Sequence, residues 1–383
     1  MCSVVRSLPL VDHHCHGVFR GPLTRAQFEA SLCEADEPGA LHPTLFDTQV
    51  GFAVRAICAP LLDLPPHAAA DDYLTRRAEL GTDEAARRLL RATGISDYVV
   101  DTGLLPDQVT APAELANFTG AAGHEVVRLE AVAEGVAPQV DAGRFADAVA
   151  DAITQRVAAA VGAKSIAAYR CGLGLDPERP SRAQVSAAAG QWLRASGSAP
   201  LRLTDPTIIR HLIWTALDAG KPVQFHVGYG DADLDLHRCR PALLTPLLRA
   251  TTGRNVPMML LHNYPFHREA AYLAQVFDHV FVDVGLALHN VGTRADAVLA
   301  ELLELAPFTA VLFSSDAFGL PELYAIHTAV FRRALSAFLD DGVTRDSWSP
   351  AGADRIAALI CSDNARRVYG LPNRARVVAS AMP

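Results

Sequence analysis

Short apolar runs recur along the chain, and most of them end in a polar or ionisable side chain. In order they are LPLVDHH (8–14), SDYVVDTG (96–103), EVVRLEAVA (125–133), KSIAAYR (164–170), KPVQFHVG (221–228), PMMLLHN (257–263), HVFVDVG (279–285) and TAVLFSSD (309–316). Between them lie longer segments with helical spacing, such as GRFADAVADAITQRVAAAV (143–161), TDPTIIRHLIWTALDAG (204–220) and REAAYLAQVF (268–277). Alternating strand and helix predicts an α/β fold with a parallel sheet, and eight such units predict closure into a (β/α)8 TIM-type barrel. Residues 17–95 are too long for a simple crossover, and TRRAELGTDEAARRLLRAT (75–93) has helical spacing, so a mostly helical insertion or cap is expected after strand 1. Residues 171–220 form a smaller excursion. No fixed-period repeat or low-complexity linker divides the sequence, so residues 1–383 are read as a single barrel domain.

Composition agrees with a large core: hydrophobic residues make up 50% and charged residues 20%. A net charge of -8 with scattered Lys and Arg offers no basic stripe, which argues against nucleic acid as a partner. No apolar run approaches the ~20 residues that span a bilayer, and the first residues, MCSVVRSLPLVDHHCHG, carry no signal-peptide pattern, so no membrane partner and a cytoplasmic location are expected. The seven cysteines are widely spaced with no CxxC, which fits reduced thiols better than disulfides or a cysteine zinc site.

The first strand ends in Asp12-His13-His14-Cys15-His16. Side chains two apart on a strand share a face, with Cα atoms roughly 6–7 Å apart, so His14 and His16 can aim at one ion while His13 faces away in a structural role. An HxH pair alone is equally compatible with hydrogen-bonded histidines. Position adds weight, because His226, His262 and Asp316 also close apolar runs, and barrel enzymes gather their catalytic residues at the C-terminal ends of strands.

The set DHHCHG, QFHVGYGDADLDL, LLHNYPFHREAAYLA, FSSDAFGLPELY and DNARRVYGL resembles the amidohydrolase superfamily over nearly the whole span from Leu8 to Leu371. More narrowly, it is similar to the branch related to aminocarboxymuconate semialdehyde decarboxylase, and to amidohydrolase-like domains fused to glutamine-synthetase-like domains in some fungi and plants. The resemblance implies that His14, His16, His226 and Asp316 bind a divalent metal. His262 then either binds a second metal or stands free as an acid or base. Binuclear members bridge their metals with a carboxylated lysine near the end of strand 4; here Lys164 starts the apolar run and is expected to face the wrong end of the barrel, which favours one metal. Three imidazoles and a carboxylate suit zinc first, and also manganese, iron or cobalt. A metal-bound water lowered toward a pKa of about 7 would supply a hydroxide nucleophile. Asp316 would move its proton and His262 would polarise the substrate carbonyl.

Around this centre, Arg170 could pair with a substrate carboxylate or with a structural partner, and Tyr169 reaches the mouth only if the strand has already ended. His267 and His289 could reach the rim as substrate-binding residues. Arg128 and Glu130 are expected to form an internal salt bridge, Asp231 to orient a ligand imidazole, and Asn364 and Arg366 to brace the last helix. The expected activity is hydrolysis of a C–N (amide) bond in a small, carboxylate-bearing substrate. Metal-dependent decarboxylation is the alternative, and an inactive scaffold or regulatory barrel a third. A small molecule is the expected partner, with a homodimer left open.

Overall fold

The computed structural model describes residues 3–35, 41–196 and 200–373. Seven parallel strands form one sheet in sequence order: β1 (Leu10–Cys15), β2 (Ile95–Asp101), β3 (Ala122–Arg128), β4 (Gly162–Ser165), β5 (Val223–Val227), β6 (Met258–His262) and β7 (Val280–Val282). Strands β1, β2 and β4–β7 are buried at every position. Helices cover their outer face, so these strands read as apolar runs and not as alternating ones.

The sequence predicts eight strands, but the segment TAVLFSSD is not one of the seven. It runs between the two edges as irregular chain. Val311 bridges Val282 in parallel, and Leu312 N–H donates to the Val282 carbonyl at 3.0 Å. On the other side His13 N–H donates to Phe313 O (3.1 Å), Asp316 N–H to His14 O (3.0 Å) and His16 N–H to Ala317 O (2.9 Å). Backbone donors and acceptors at both edges of the curled sheet thus find partners through this segment, as buried backbone must. Asn364, from the last described helix, donates to the carbonyls of Phe308 (2.8 Å) and Val311 (2.9 Å) and braces it, while Arg366 pairs with Asp97 at 2.6 Å.

Two strand limits differ from expectation in ways that matter for the site. β3 ends at Arg128, and Leu129–Val136 is a helix, so Glu130 lies off the strand. β4 covers only Gly162–Ser165, and Ala167–Arg170 is a helical turn. Buried Glu130 accepts hydrogen bonds from Ser165 Oγ (2.7 Å) and the Ile166 amide (3.0 Å), which fixes that turn.

Capping chemistry explains the helix boundaries. Asp205 accepts from the amides of Thr207 and Ile208 ahead of Pro206, where a missing N–H costs nothing. Thr82–Thr93 stops at Gly94, whose φ of 67° is left-handed, and β2 starts at the next residue. The long connection after β1 carries the helices Arg25–Ala30, Gln49–Ala53, Ala70–Leu80 and Thr82–Thr93. Arg77 Nε pairs with the fully buried Glu322 at 2.6 Å, and Tyr73 OH donates to the same oxygen at 2.9 Å. These bonds join Ala70–Leu80 to the helix Pro321–Thr344 that follows Asp316. The six described cysteines are free thiols. No described helix is long and apolar enough to cross a membrane.

Candidate metal centre

His14 and His16 leave the end of β1, His226 closes β5, His262 closes β6, and Asp316 sits in the segment that closes the ring. Asp316 Oδ1 lies 3.1 Å from His14 Nε2 and 3.4 Å from His16 Nε2, and its Oδ2 lies 3.4 Å from His262 Nδ1. One donor atom each from His14, His16 and Asp316 falls within 4.8 Å of the others. The rings of His226 and His262 are 4.7 Å apart.

The partners of the other ring nitrogens assign the tautomers. Gln224 Nε2 donates to His13 O and to Tyr369 OH, both at 2.8 Å, so its Oε1 must be the atom 2.8 Å from His14 Nδ1. His14 therefore carries its proton on Nδ1 and presents the Nε2 lone pair to Asp316. His16 Nδ1 faces the Asp101 carbonyl at 3.3 Å, which leaves its Nε2 as the acceptor. His226 gives Nε2–H to the Tyr229 carbonyl at 3.1 Å, which frees Nδ1. Two imidazole lone pairs facing one carboxylate oxygen repel unless a proton or a cation stands among them; Lys164 Nζ, 3.1 Å from His14 Nε2, relieves one of them in part, and backbone or amide partners behind ligand imidazoles are the usual support of a metal site. Both ring nitrogens of buried His262 also lack a hydrogen-bond partner, so its 3.4 Å approach to Asp316 leaves both nitrogens unsatisfied.

Backbone geometry holds this arrangement under strain. His262 (φ 68°), Asn263 (φ 60°), Leu286 (φ 52°) and Asp316 (φ 50°) are all left-handed without being glycine. Asp283, fully buried, accepts from the amides of His262 (2.8 Å) and Gly285 (2.7 Å) with one oxygen and from His13 Nε2 (2.9 Å) with the other. His13 also meets Tyr369 OH at 3.2 Å, the structural role its outward face predicts. Ser315 N–H donates to Asp12 Oδ1 at 2.9 Å, tying the closing segment to β1.

Burial opposes charge on the imidazoles, lowering His14 to about 4 and His226 to about 3, with Lys164 adding to both shifts. Neutral imidazoles are the form that binds metal. Burial also works against the charge on Asp316, and it is positive charge or N–H donation from His262, His14 and His16 that pulls its carboxyl well below the ordinary range.

Lys164 corrects the expectation from sequence. Its Nζ is buried 3.1 Å from His14 Nε2, inside the cavity and not toward the far end of the barrel. Because β4 starts two residues before it, Lys164 is the third of four strand residues and points to the mouth. Burial lowers its pKa to about 8.

A cavity of about 630 Å³ opens over these groups, lined among others by Tyr169, Arg170 and His289. Tyr169 reaches it from the helical turn, its ring 4.4 Å from that of His226. Arg170 pairs with Glu134 at 3.0 Å. His289 Nδ1 meets His327 Nδ1 at 3.0 Å, both rings being buried. His267 is not at the rim: its Nε2 bonds Glu301 at 2.7 Å and its ring stacks on Tyr264. Arg128 does not pair with Glu130; its guanidinium binds Asp101 at 2.7 Å. Asp231 lines the cavity, but the partner held by His226 is the Tyr229 carbonyl. Glu34, from the chain just after Arg25–Ala30, also faces the cavity; no strand end or motif marks it in the sequence.

Comparison with known proteins agrees with this architecture. The amidohydrolase family matches residues 105–371. Protein fluG of Emericella nidulans is 32% identical over 413 aligned positions, covering 96% of this chain and 46% of its own, so the chain spans about half the length of that relative. A crystal structure of a protein described as a metal-dependent hydrolase, from Lactobacillus casei, superposes with a TM-score of 0.85 at 30% identity, over 96% of this chain and 97% of that one. A uronate isomerase from Bacillus halodurans shares the fold (TM-score 0.64, 14% identity, 97% and 96% coverage). On the extent of these matches, the chain belongs to the amidohydrolase family.

Proposed function

We propose that the protein is a metal-dependent hydrolase that cleaves a C–N (amide) bond in a small, carboxylate-bearing substrate. The observation that carries this reading is the pair of imidazole lone pairs, from His14 and His16, facing the same oxygen of Asp316. These three residues cluster within 4.8 Å, and with His226, which lies outside that cluster but has Nδ1 free, they would make an N/O donor set that suits one zinc ion, or manganese, iron or cobalt. A divalent ion held there would act as a Lewis acid and activate water at neutral pH.

The chain's own groups divide the remaining work. Asp316 stays anionic beside three imidazoles and is placed to take a proton from water and return it to the leaving nitrogen. His262, held neutral by burial and with both nitrogens unpartnered, can donate to the substrate carbonyl oxygen as charge develops there. Arg170 has a buried Nε without a partner and offers one edge to a carboxylate. One observation favours a second reading of the centre: Lys164 Nζ stands beside the donors, where a carboxylated amine could bridge two ions.

Elemental analysis of wild type and His226→Ala, joined to an assay of amine release from small amides, tests the proposal. One equivalent of metal that His226→Ala loses, with amine released, is the expected result. Two equivalents select the bridged centre, and CO₂ release from carboxylic acids without amidase activity selects decarboxylation. Wild type that takes up no metal after supplementation overturns the reading.

A further inference from the structure

We propose that Glu34 binds a cationic group of the substrate, an ammonium or guanidinium, so that the molecule taken by this cavity is zwitterionic. The inference rests on the cavity being the substrate site. Glu34 lines it from the connection after β1, with the Asn290 side chain beside it. The charges that act on it are Asp316 and Asp231, both negative. Burial, with those two neighbours, pushes its carboxyl up to about 7.

The cavity's cations, by contrast, each have a partner, Arg170 keeping only its Nε unpaired. Arg128 pairs with Asp101 (2.7 Å), Arg170 with Glu134 (3.0 Å) and Arg202 with Asp233 (2.7 Å). Lys164 faces the imidazole of His14. Among the described residues none pairs with Glu34. A partly buried carboxylate without a counter-charge is costly, and a ligand cation converts that cost into a charge-assisted hydrogen bond.

Topology separates the two poles. Arg128 closes β3 and Arg170 follows β4, whereas Asn290, beside Glu34, follows β7. In a ring closed by the segment after β7, these positions lie on opposite sides of the mouth. A substrate with a carboxylate at the Arg170 edge would therefore carry its cation to Glu34 across the metal centre.

Isothermal titration of metal-supplemented protein with 5-aminovalerate and valerate, which differ only by the ammonium group, tests this. Wild type should bind 5-aminovalerate at least tenfold more tightly, in line with a charged hydrogen bond. Glu34→Gln should erase that preference, and Glu34→Asp, which keeps the charge, should retain at least threefold. Metal-loaded wild type without the preference overturns the assignment. So does a preference that survives in Glu34→Gln, or one lost as fully in Glu34→Asp. Metal content measured on the same samples separates the two proposals: an ammonium preference in protein that takes up no metal removes the hydrolase and keeps the cation site, whereas metal without preference removes the cation site alone.

Discussion

Replacing Asp283 by Ala should be among the most damaging changes in the barrel, although Asp283 is not one of the proposed metal ligands. Its carboxyl accepts two buried backbone N–H groups, those of His262 and Gly285, and the ring N–H of His13. An orphaned buried donor costs about 1–3 kcal/mol, and three are left behind, so a loss on the order of 4 kcal/mol is expected once partial relaxation is allowed. That is a large share of the ~5–15 kcal/mol by which domains are stable. Asp283→Asn separates the causes. Its amide oxygen can keep both backbone bonds, and His13 can switch tautomer to accept from the new NH₂ while giving its other proton to Tyr369, so only about 1 kcal/mol should be lost. Urea unfolding followed by circular dichroism, with the slope unchanged, measures both. A loss below about 1 kcal/mol for Ala, or equal losses for Ala and Asn, would refute the bookkeeping of donors on which the prediction stands.

The buried pair of Arg77 and Glu322 gives a second test. Arg77→Met should cost about 3–5 kcal/mol by leaving Glu322 uncompensated, and adding Glu322→Leu should recover most of it in the double variant. A single variant as stable as wild type in urea unfolding would show that the pair does not hold the connection to the helix. Acidification provides a third. In metal-free protein the folded-state values of His14 (about 4), His226 (about 3) and His289 (about 4) lie below the ordinary 6.5, so the unfolded chain binds protons that the folded chain refuses. These groups should therefore contribute full stability above pH 6.5 and lose it as pH falls toward 4. A flat unfolding free energy between pH 7 and 4.5 after chelation would contradict the burial of neutral imidazoles.

Much of this molecule is legible in its sequence because buried parallel strands must be apolar along their length, and because ionisable residues closing such runs stand out. His14, His16, His226, His262 and Asp316 were visible for that reason. Errors arose where local composition misleads. GAKS is a short strand with little apolar character, so the richer run IAA looks like its continuation, and a shift of about two residues turns Lys164 toward the wrong end. The apolar run through Leu129 likewise continued β3 into what is a helix and suggested a pairing of Arg128 with Glu130. The segment Ala310–Asp316 has the composition of a strand, but its residues bend to place Asp316 with a left-handed backbone, and no local signal announces that. His327, within the helix Pro321–Thr344, looks like a core position, and only the fold brings it to His289.

The seam that closes the ring also dates the centre in the life of the chain. Ser314 and the His14 carbonyl that its hydroxyl contacts are 300 residues apart in sequence, so the oxygen of Asp316 and the nitrogens it faces meet only after nearly every βα unit has been synthesised. Contacts of such separation form late, because their loop-closure entropy is offset only when the intervening chain is already ordered. A nascent chain emerging from the ribosome can therefore expose the histidine pair of β1 long before the carboxylate arrives, and the complete donor set is assembled as one of the last acts of folding.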